Sequence, residues 1–178
     1  PIIRHQAAQA LQLGAAPGRS YGEQCLHGAW ELVRRSMRFK HDERIAADLA
    51  VNDPRKADII EVLIRPQDQA TLIMLRGMGV EDCDGYEMYA GCLLTALGVP
   101  VALVTVSAEP EEPSRFSHVY LAAYIQGKRI PMDFSHGDYI GWECPNTGRL
   151  REWPVAVTLA ETCAWMAGPL LVVLGLYM

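Results

Sequence analysis

The hydrophobic positions between residues 82 and 100 predict a buried helix near the middle of the chain. Apolar side chains occupy nearly every face of this stretch, as expected for a helix that is surrounded by other elements. Asp82 is a preferred N-cap residue, and Gly98 followed by Pro100 is a typical end signal for a helix. We therefore expect a central helix that starts just after Asp82.

A second helix is predicted between residues 21 and 39. Its apolar residues recur at helical spacing around Trp30, and basic residues occupy the opposite face at Arg34, Arg35 and Arg38. The apolar face of this helix should pack against the central helix. The basic residues are most simply explained as a solvated face.

Three strands are predicted after the central helix. Residues 101–107 are mostly β-branched and apolar, and residues 116–125 and 128–134 form two further strand patterns. Gln126 and Gly127 between the last two predict a two-residue hairpin turn. The sequence therefore predicts an α+β fold in which the central helix packs on an antiparallel sheet.

The predicted hairpin also fixes which side chains share a face of the sheet. If Ile125 pairs with Lys128, His118 lies opposite Ser135, and Asp133 lies on the same face as His118 within diagonal reach. A three-residue turn would instead place Asp133 on the other face. Pro131 cannot donate a ladder hydrogen bond, which predicts an edge strand or a local bulge.

The two ends of the chain differ in composition from the middle. We divide the chain into an N-terminal arm (1–20), a domain (21–150) and an apolar C-terminal tail (151–178). The arm, extended or partly helical, should lie on its own domain or on a neighbour. Glutamines interrupt its apolar residues, so we expect no secretory signal peptide and synthesis in the cytoplasm.

The tail leaves three interpretations open. Residues 163–178 contain no charged residue, but the segment is shorter than the roughly 18 to 20 residues of a confident membrane span, and Gly168 and Pro169 interrupt it. It could be buried in its own domain, packed against another subunit, or in contact with a membrane. We favour assembly with a protein partner through the arm and the tail, with membrane contact as the second choice.

Charge and cysteine content narrow the possible functions. The net charge of −5 and the single local cluster of basic residues do not indicate a nucleic-acid partner. The five cysteines form no CxxC pair and no zinc-type spacing with histidine, so we predict no metal site and no cofactor. Free thiols in a reducing compartment fit this pattern.

Cys83 is the candidate nucleophile. A cysteine in the first turn of a helix lies at the positive end of the helix dipole, where a thiolate is favoured. Four acidic residues oppose this effect, because negative charge raises the pKa of a thiol. They are Glu81, Asp82, Asp84 and Glu87. A nearby imidazolium would have to outweigh them.

Three short blocks together carry a family resemblance. The blocks are Asp82-Cys83-Asp84-Gly85 before the apolar helix, Phe116-Ser117-His118-Val119-Tyr120, and Ile130-Pro131-Met132-Asp133. In this order and spacing they resemble the Cys, His and Asp blocks of the transglutaminase-like, papain-related cysteine enzymes, in the compact form of bacterial and phage members. The resemblance covers roughly residues 25 to 140. It implies a papain/transglutaminase-like core.

The resemblance also implies a catalytic triad and a reaction. Cys83 would attack an amide carbonyl, His118 would act as base, and Asp133 would orient the imidazole. The product of the attack is a thioester, which water or an amine resolves, so the protein would be a peptidase or amidase, or a transglutaminase, acting on a peptide or amide substrate. His136 is a rival histidine, but it follows the Asp block, which is the wrong order for the family.

Two points remain open from the sequence. The oxyanion hole should use the backbone N–H of Cys83 and a side-chain donor, but the glutamine that papain carries shortly before its cysteine is absent. The alternative function is a structural or assembly protein, such as a component of a phage particle, that keeps the fold of a cysteine enzyme. The reactivity of the Cys83 thiol separates the two functions.

Overall fold

The computed structural model describes residues 1–50 and 62–155 of the chain. Helices and strands are mixed within this part. The helices are α1 (Ile2–Gly14), α2 (Tyr21–Ser36), α3 (Asp42–Ala50), α4 (Pro66–Arg76) and α5 (Cys83–Ala96). The strands are β1 (Met37–Phe39), β2 (Gly79–Glu81), β3 (Val101–Val106), β4 (His118–Ile125), β5 (Lys128–Met132) and β6 (Leu150–Pro154).

Helix α5 is the predicted central helix, and both of its ends are confirmed. The Asp82 side chain accepts a hydrogen bond from the backbone N–H of Asp84 at 3.2 Å, as an N-cap residue does. At the other end, Gly98 and Val99 donate their backbone N–H groups to carbonyl oxygens in the last turn of the helix. Its side chains Tyr89, Leu93 and Leu94 are fully buried.

Four strands form an antiparallel sheet in the order β5-β4-β3-β6. This confirms the predicted α+β class. Strand β5, which contains Pro131, is an edge strand, as predicted from the proline. The pairing of Ile125 with Lys128 is also confirmed. Gln126 and Gly127 have φ values of 51° and 76°, which are typical of a type I′ hairpin turn.

Strand β6 extends the sheet beyond the predicted domain. It pairs antiparallel with β3, and it includes residues 151–154, which the sequence analysis assigned to the tail. The rest of the predicted tail, residues 156–178, lies outside the described residues, so its partner stays a prediction. Within the described ranges, no helix has the length and apolar character needed to cross a membrane.

The predicted N-terminal arm consists mainly of helix α1, which packs against α2, α4 and α5. Gln6, one of the residues that interrupt its apolar pattern, is buried. Its side chain donates to the carbonyl oxygen of Ala70 at 3.1 Å and accepts from the hydroxyl of Tyr89 at 2.8 Å. These two bonds satisfy the buried amide and join α1 to α4 and α5.

A second, two-stranded sheet lies beside the start of α5. Strands β1 and β2 pair in parallel, with Phe39 opposite Glu81. The backbone N–H of Lys40 continues this pairing with a bond to the carbonyl oxygen of Glu81 at 3.0 Å. Glu81 is followed directly by Asp82, so this small sheet fixes the position at which α5 begins.

Candidate active site

Cys83 is the first residue of helix α5, and it is half-buried. The backbone of Val119 in strand β4 is close enough to the Cys83 sulfur to lower the pKa of the thiol. The helix packs on the face of the sheet to which Leu121 belongs. The thiol therefore lies against the strand at the residue that follows His118.

The surroundings of Cys83 favour the neutral thiol. Burial raises the pKa of the Cys83 thiol well above its ordinary value, and the negative charges of Asp82 and Asp84 raise it further. The backbone of Val119 lowers the pKa by less than these effects raise it. Burial and the carboxylates of Asp82 and Asp84 thus oppose the thiolate, and the opposition by the carboxylates is the one that the sequence analysis expected.

Replacing Asp82 with asparagine is expected to make Cys83 more reactive. Asparagine keeps the N-cap but removes a negative charge, so the pKa of the thiol should fall. At pH 7.5 we expect alkylation of Cys83 by iodoacetamide to become about three to ten times faster. The increase of the alkylation rate with pH should also occur at lower pH. Glu111→Gln in the exposed 108–115 loop removes an equal charge away from the site and is the control. Identical pH profiles for Asp82→Asn and this control would contradict the argument.

His118 and Asp133 form a short, buried hydrogen bond. His118 Nε2 lies 2.6 Å from Asp133 Oδ2, and the two side chains are 8% and 0% exposed. Burial raises the pKa of Asp133, but the contacts with His118, His136 and Ser135 lower it more, so the carboxyl is ionised. An ionised carboxylate only accepts hydrogen bonds, and Nε2 therefore carries the proton. In the neutral form of the imidazole, the lone pair is then on Nδ1.

The hairpin is the reason that these two side chains meet. The last pair of the β4–β5 ladder is Leu121 with Met132, and Asp133 follows Met132 directly. The alternation of side chains then places Asp133 on the same face as His118, as predicted from the turn. The contact predicted between Asp133 and His118 is therefore present, whereas the catalytic roles of these residues stay predictions.

A second buried carboxyl group, that of Glu87, binds the backbone next to Asp133. Glu87 on α5 is fully buried, and its Oε1 accepts the backbone N–H of Phe134 at 2.8 Å. Burial raises the pKa of Glu87 well above its ordinary value, and the charge of Asp133 raises it further. Glu87 is one of the acidic residues that the sequence analysis placed around Cys83, and its charge contributes to the raised pKa of the thiol. The pKa values of the two nearby carboxyls are thus shifted in opposite directions, that of Asp133 downwards and that of Glu87 upwards.

His136, the rival histidine of the sequence analysis, lies beside the His118–Asp133 pair. Its exposed ring lies edge-on to the ring of His118, with 5.0 Å between the centroids, and its backbone N–H donates to Asp133 Oδ1 at 2.8 Å. The Ser135 hydroxyl contacts both Asp133 Oδ1 and His136 Nδ1. The signal in the sequence was the short spacing from Asp133 to His136, which suits a turn around a carboxylate.

Two groups of described residues have donor atoms close enough to hold a metal ion. His118, Asp133 and His136 form one group, and within it the donor atoms lie within 4.8 Å of one another. Asp42, Glu81 and Asp82 form the other group, within the same limit. The prediction of no metal site rested on cysteine and histidine spacing, which does not reveal ligands that separate strands and turns bring together.

A polar cleft adjoins the loop that carries these groups. It has a volume of about 140 Å³ and is lined by Arg34, Tyr86, Phe134 and Ser135. The Arg34 guanidinium donates to the carbonyl oxygen of Gly137 at 2.7 Å, which ties helix α2 to the loop after Asp133. Ser135, which lines the cleft, contacts Asp133 with its hydroxyl, so one residue separates the cleft from the His118–Asp133 pair.

Comparisons with known proteins give distant likenesses. No protein-family model matches the sequence, and no curated protein matches it. Among solved structures, the chain is similar to a crystal structure of a TGase, with a TM-score of 0.43 and 16% identity over 78% of this chain and 31% of that chain. It is also similar to Rad4–Rad23 bound to a 6-4 photoproduct UV lesion (TM-score 0.41, 13% identity, 79% and 35% of the two chains). A third match is Rad4–Rad23 crosslinked to an undamaged DNA (TM-score 0.42, 13% identity, 78% and 34%). The chain spans about a third of the length of each, and the assignment of an activity depends on the site itself.

Proposed function

We propose that this protein is a transglutaminase-like cysteine enzyme that acts on amide bonds through a thioester intermediate. In this proposal Cys83 is the nucleophile, His118 the general base, and Asp133 the group that orients the imidazole. The observation that supports it most strongly is the 2.6 Å contact between His118 and the buried, ionised Asp133, on the strand that the Cys83 thiol touches.

The charge states of the site determine how the proposed reaction begins. Because the resting thiol is protonated, the proton moves to His118 Nδ1 as the Cys83 sulfur forms a bond to the carbonyl carbon. Asp133 stabilises the imidazolium formed in this step. The C–N bond then breaks, the proton passes to the leaving amine, and a thioester remains. Water resolves the thioester to an acid, and an amine resolves it to a new amide.

The alternative proposal is a structural or assembly protein, such as a phage particle component, that keeps this fold without catalysis. The observation that favours it is the raised pKa of the half-buried Cys83 thiol, which an inert cysteine would share. The other described cysteines are also weakly acidic, and burial raises the pKa of both Cys92 and Cys144 to about 11. The pKa of the free thiol therefore does not distinguish an enzyme from a scaffold, whereas dependence on His118 does.

The test is site-resolved alkylation of the full chain with iodoacetamide at pH 7.5, with each cysteine quantified by peptide mass spectrometry. We expect Cys83 to react faster than Cys25, Cys92 and Cys144, because His118 can accept its proton. His118→Ala should slow Cys83 at least about tenfold and leave the other thiols unchanged. The matched control is His27→Ala, which removes an exposed histidine from helix α2.

Asp133→Asn should reduce the rate less than His118→Ala, because Asp133 only orients the base. If Cys83 reacts no faster than Cys92 and does not respond to His118→Ala, the enzyme proposal fails and the assembly protein remains. If the test succeeds, the formation of hydroxamate from an amide substrate in hydroxylamine would identify the thioester. Competition between water and primary amines would then separate hydrolysis from transamidation.

A further inference from the structure

The cluster of His118, Asp133 and His136 contains one imidazole more than the proposed triad uses. Each of the three side chains offers one donor atom, and these atoms lie within 4.8 Å of one another. His118 belongs to strand β4, whereas Asp133 and His136 belong to the turn after β5. Two elements therefore supply two nitrogens and one oxygen to a single small volume.

The cluster is held in place by its own hydrogen bonds. Asp133 uses Oδ1 to accept from the backbone N–H of His136 at 2.8 Å and from the Ser135 hydroxyl at 3.1 Å. Its other oxygen, Oδ2, faces His118 Nε2 at 2.6 Å. The His136 ring packs edge-on against Phe39, with centroids 4.8 Å apart. The three donors are thus positioned by contacts that do not require an ion.

The donor types select among metals. Two imidazole nitrogens and one carboxylate oxygen are the ligands of zinc and related first-row divalent ions, and three such ligands leave a fourth position for water. Calcium and magnesium prefer oxygen ligands only. Because His136 is exposed while Asp133 is fully buried, an ion can reach the cluster from solvent and still be bound in a partly desolvated place.

We propose that His118, Asp133 and His136 form a zinc site, in which the ion takes the place of the proton between His118 Nε2 and Asp133 Oδ2. A neutral imidazole that binds a metal through Nε2 carries its hydrogen on Nδ1, so zinc binding moves the proton to Nδ1 and converts the orienting contact into two metal–ligand bonds. The regulatory consequence rests on the proposed function: an Nδ1 that already carries a hydrogen cannot accept the proton of Cys83, so zinc slows the reaction of Cys83. The metal site itself does not depend on Cys83.

The experiment uses the full chain after treatment with EDTA, titrated with zinc chloride against a chromophoric chelator. We expect His136→Gln and His118→Gln each to weaken one zinc site by at least tenfold, because loss of a ligand should cost no less than loss of an outer hydrogen bond around a metal. His27→Gln should bind zinc like the wild type, and excess magnesium should not compete. Equal zinc affinity and stoichiometry in the wild type and His136→Gln would overturn the proposal.

A second measurement separates this proposal from the proposed function. The rate of Cys83 alkylation is measured with and without zinc, and each variant is compared with its own zinc-free rate. Zinc should slow Cys83 in the wild type and in His27→Gln by a larger factor than in His136→Gln. A Cys83 that reacts selectively but binds no zinc at this cluster would overturn only the zinc site. If His136→Gln and His118→Gln lose zinc binding while Cys83 is inert in the wild type and in every variant, the zinc site is supported and the enzyme proposal is overturned.

Discussion

Glu87→Ala is expected to lower the free energy of unfolding by about 3 kcal/mol, whereas Glu87→Gln should leave it nearly unchanged at pH 5. Alanine leaves a cavity beneath the sheet and deprives the buried N–H of Phe134 of its acceptor. Glutamine keeps an acceptor oxygen and nearly the same shape. Because Phe134 follows Asp133 directly, the alanine variant should also loosen the His118–Asp133 contact. Urea unfolding of the two variants measures the difference.

The pH dependence of the same pair tests the protonation of Glu87. Its pKa is raised in the folded protein, so folding requires the carboxyl to keep a proton that the unfolded chain releases above its ordinary pKa of 4.5. The contribution of Glu87 to stability is therefore complete at low pH and decreases as the pH rises above that value. Glutamine does not titrate, and Glu87→Gln should become progressively more stable than the wild type between pH 5 and pH 8. A difference that stays constant over this range would mean that Glu87 is ionised in the fold.

Gly28→Ala should destabilise the protein by about 3 kcal/mol or more, because helices α1 and α2 touch backbone to backbone at this position. A Cβ atom on Gly28 would lie 1.8 Å from the carbonyl oxygen of Ala10, so the helices would have to separate. The control is Gly91→Ala in helix α5, where a Cβ would lie 3.5 Å from the Leu121 side chain. There the better helix propensity of alanine should raise stability by up to about 1 kcal/mol.

If α1 belongs to the core, thermal or urea unfolding should show that Gly28→Ala lowers the stability of the protein and that Gly91→Ala raises it. A Gly28→Ala protein as stable as the wild type would mean that α1 does not pack on α2 in solution. In that case residues 1–14 would be free to contact a neighbouring molecule, which is one of the two positions predicted for the arm. The experiment therefore also tests the predicted division of the chain at its N-terminal end.

Local signals in the sequence predicted the parts of the fold that depend on neighbouring residues. The cap at Asp82, the end of α5 and the two-residue turn each act over a few residues, and the turn determined that Asp133 would face His118. The pairing of β1 with β2 was not predicted, because strands of three residues carry too little alternation to be recognised. The packing of α1 depends on a fit between glycines and a distant backbone, which no local pattern reveals.

The contact between His118 and Asp133 was predicted from the sequence, but the effect of burial on the neighbouring groups was not. Burial is a property of the complete fold, and it is the main cause of the raised pKa of both Cys83 and Glu87. His136 was given little weight because its place in the family order was wrong, although sequence order says nothing about which rings meet in space.

The hairpin has a consequence for how the site is assembled during folding. His118 and Asp133 are separated by 15 residues and belong to one local unit, which closes on the timescale of a hairpin. Cys83 comes from a helix that must dock on the finished sheet, which requires closing a much longer loop of chain. His118 and Asp133 can therefore be paired before the Cys83 thiol arrives, and the candidate site is complete only when the helix and the sheet have joined.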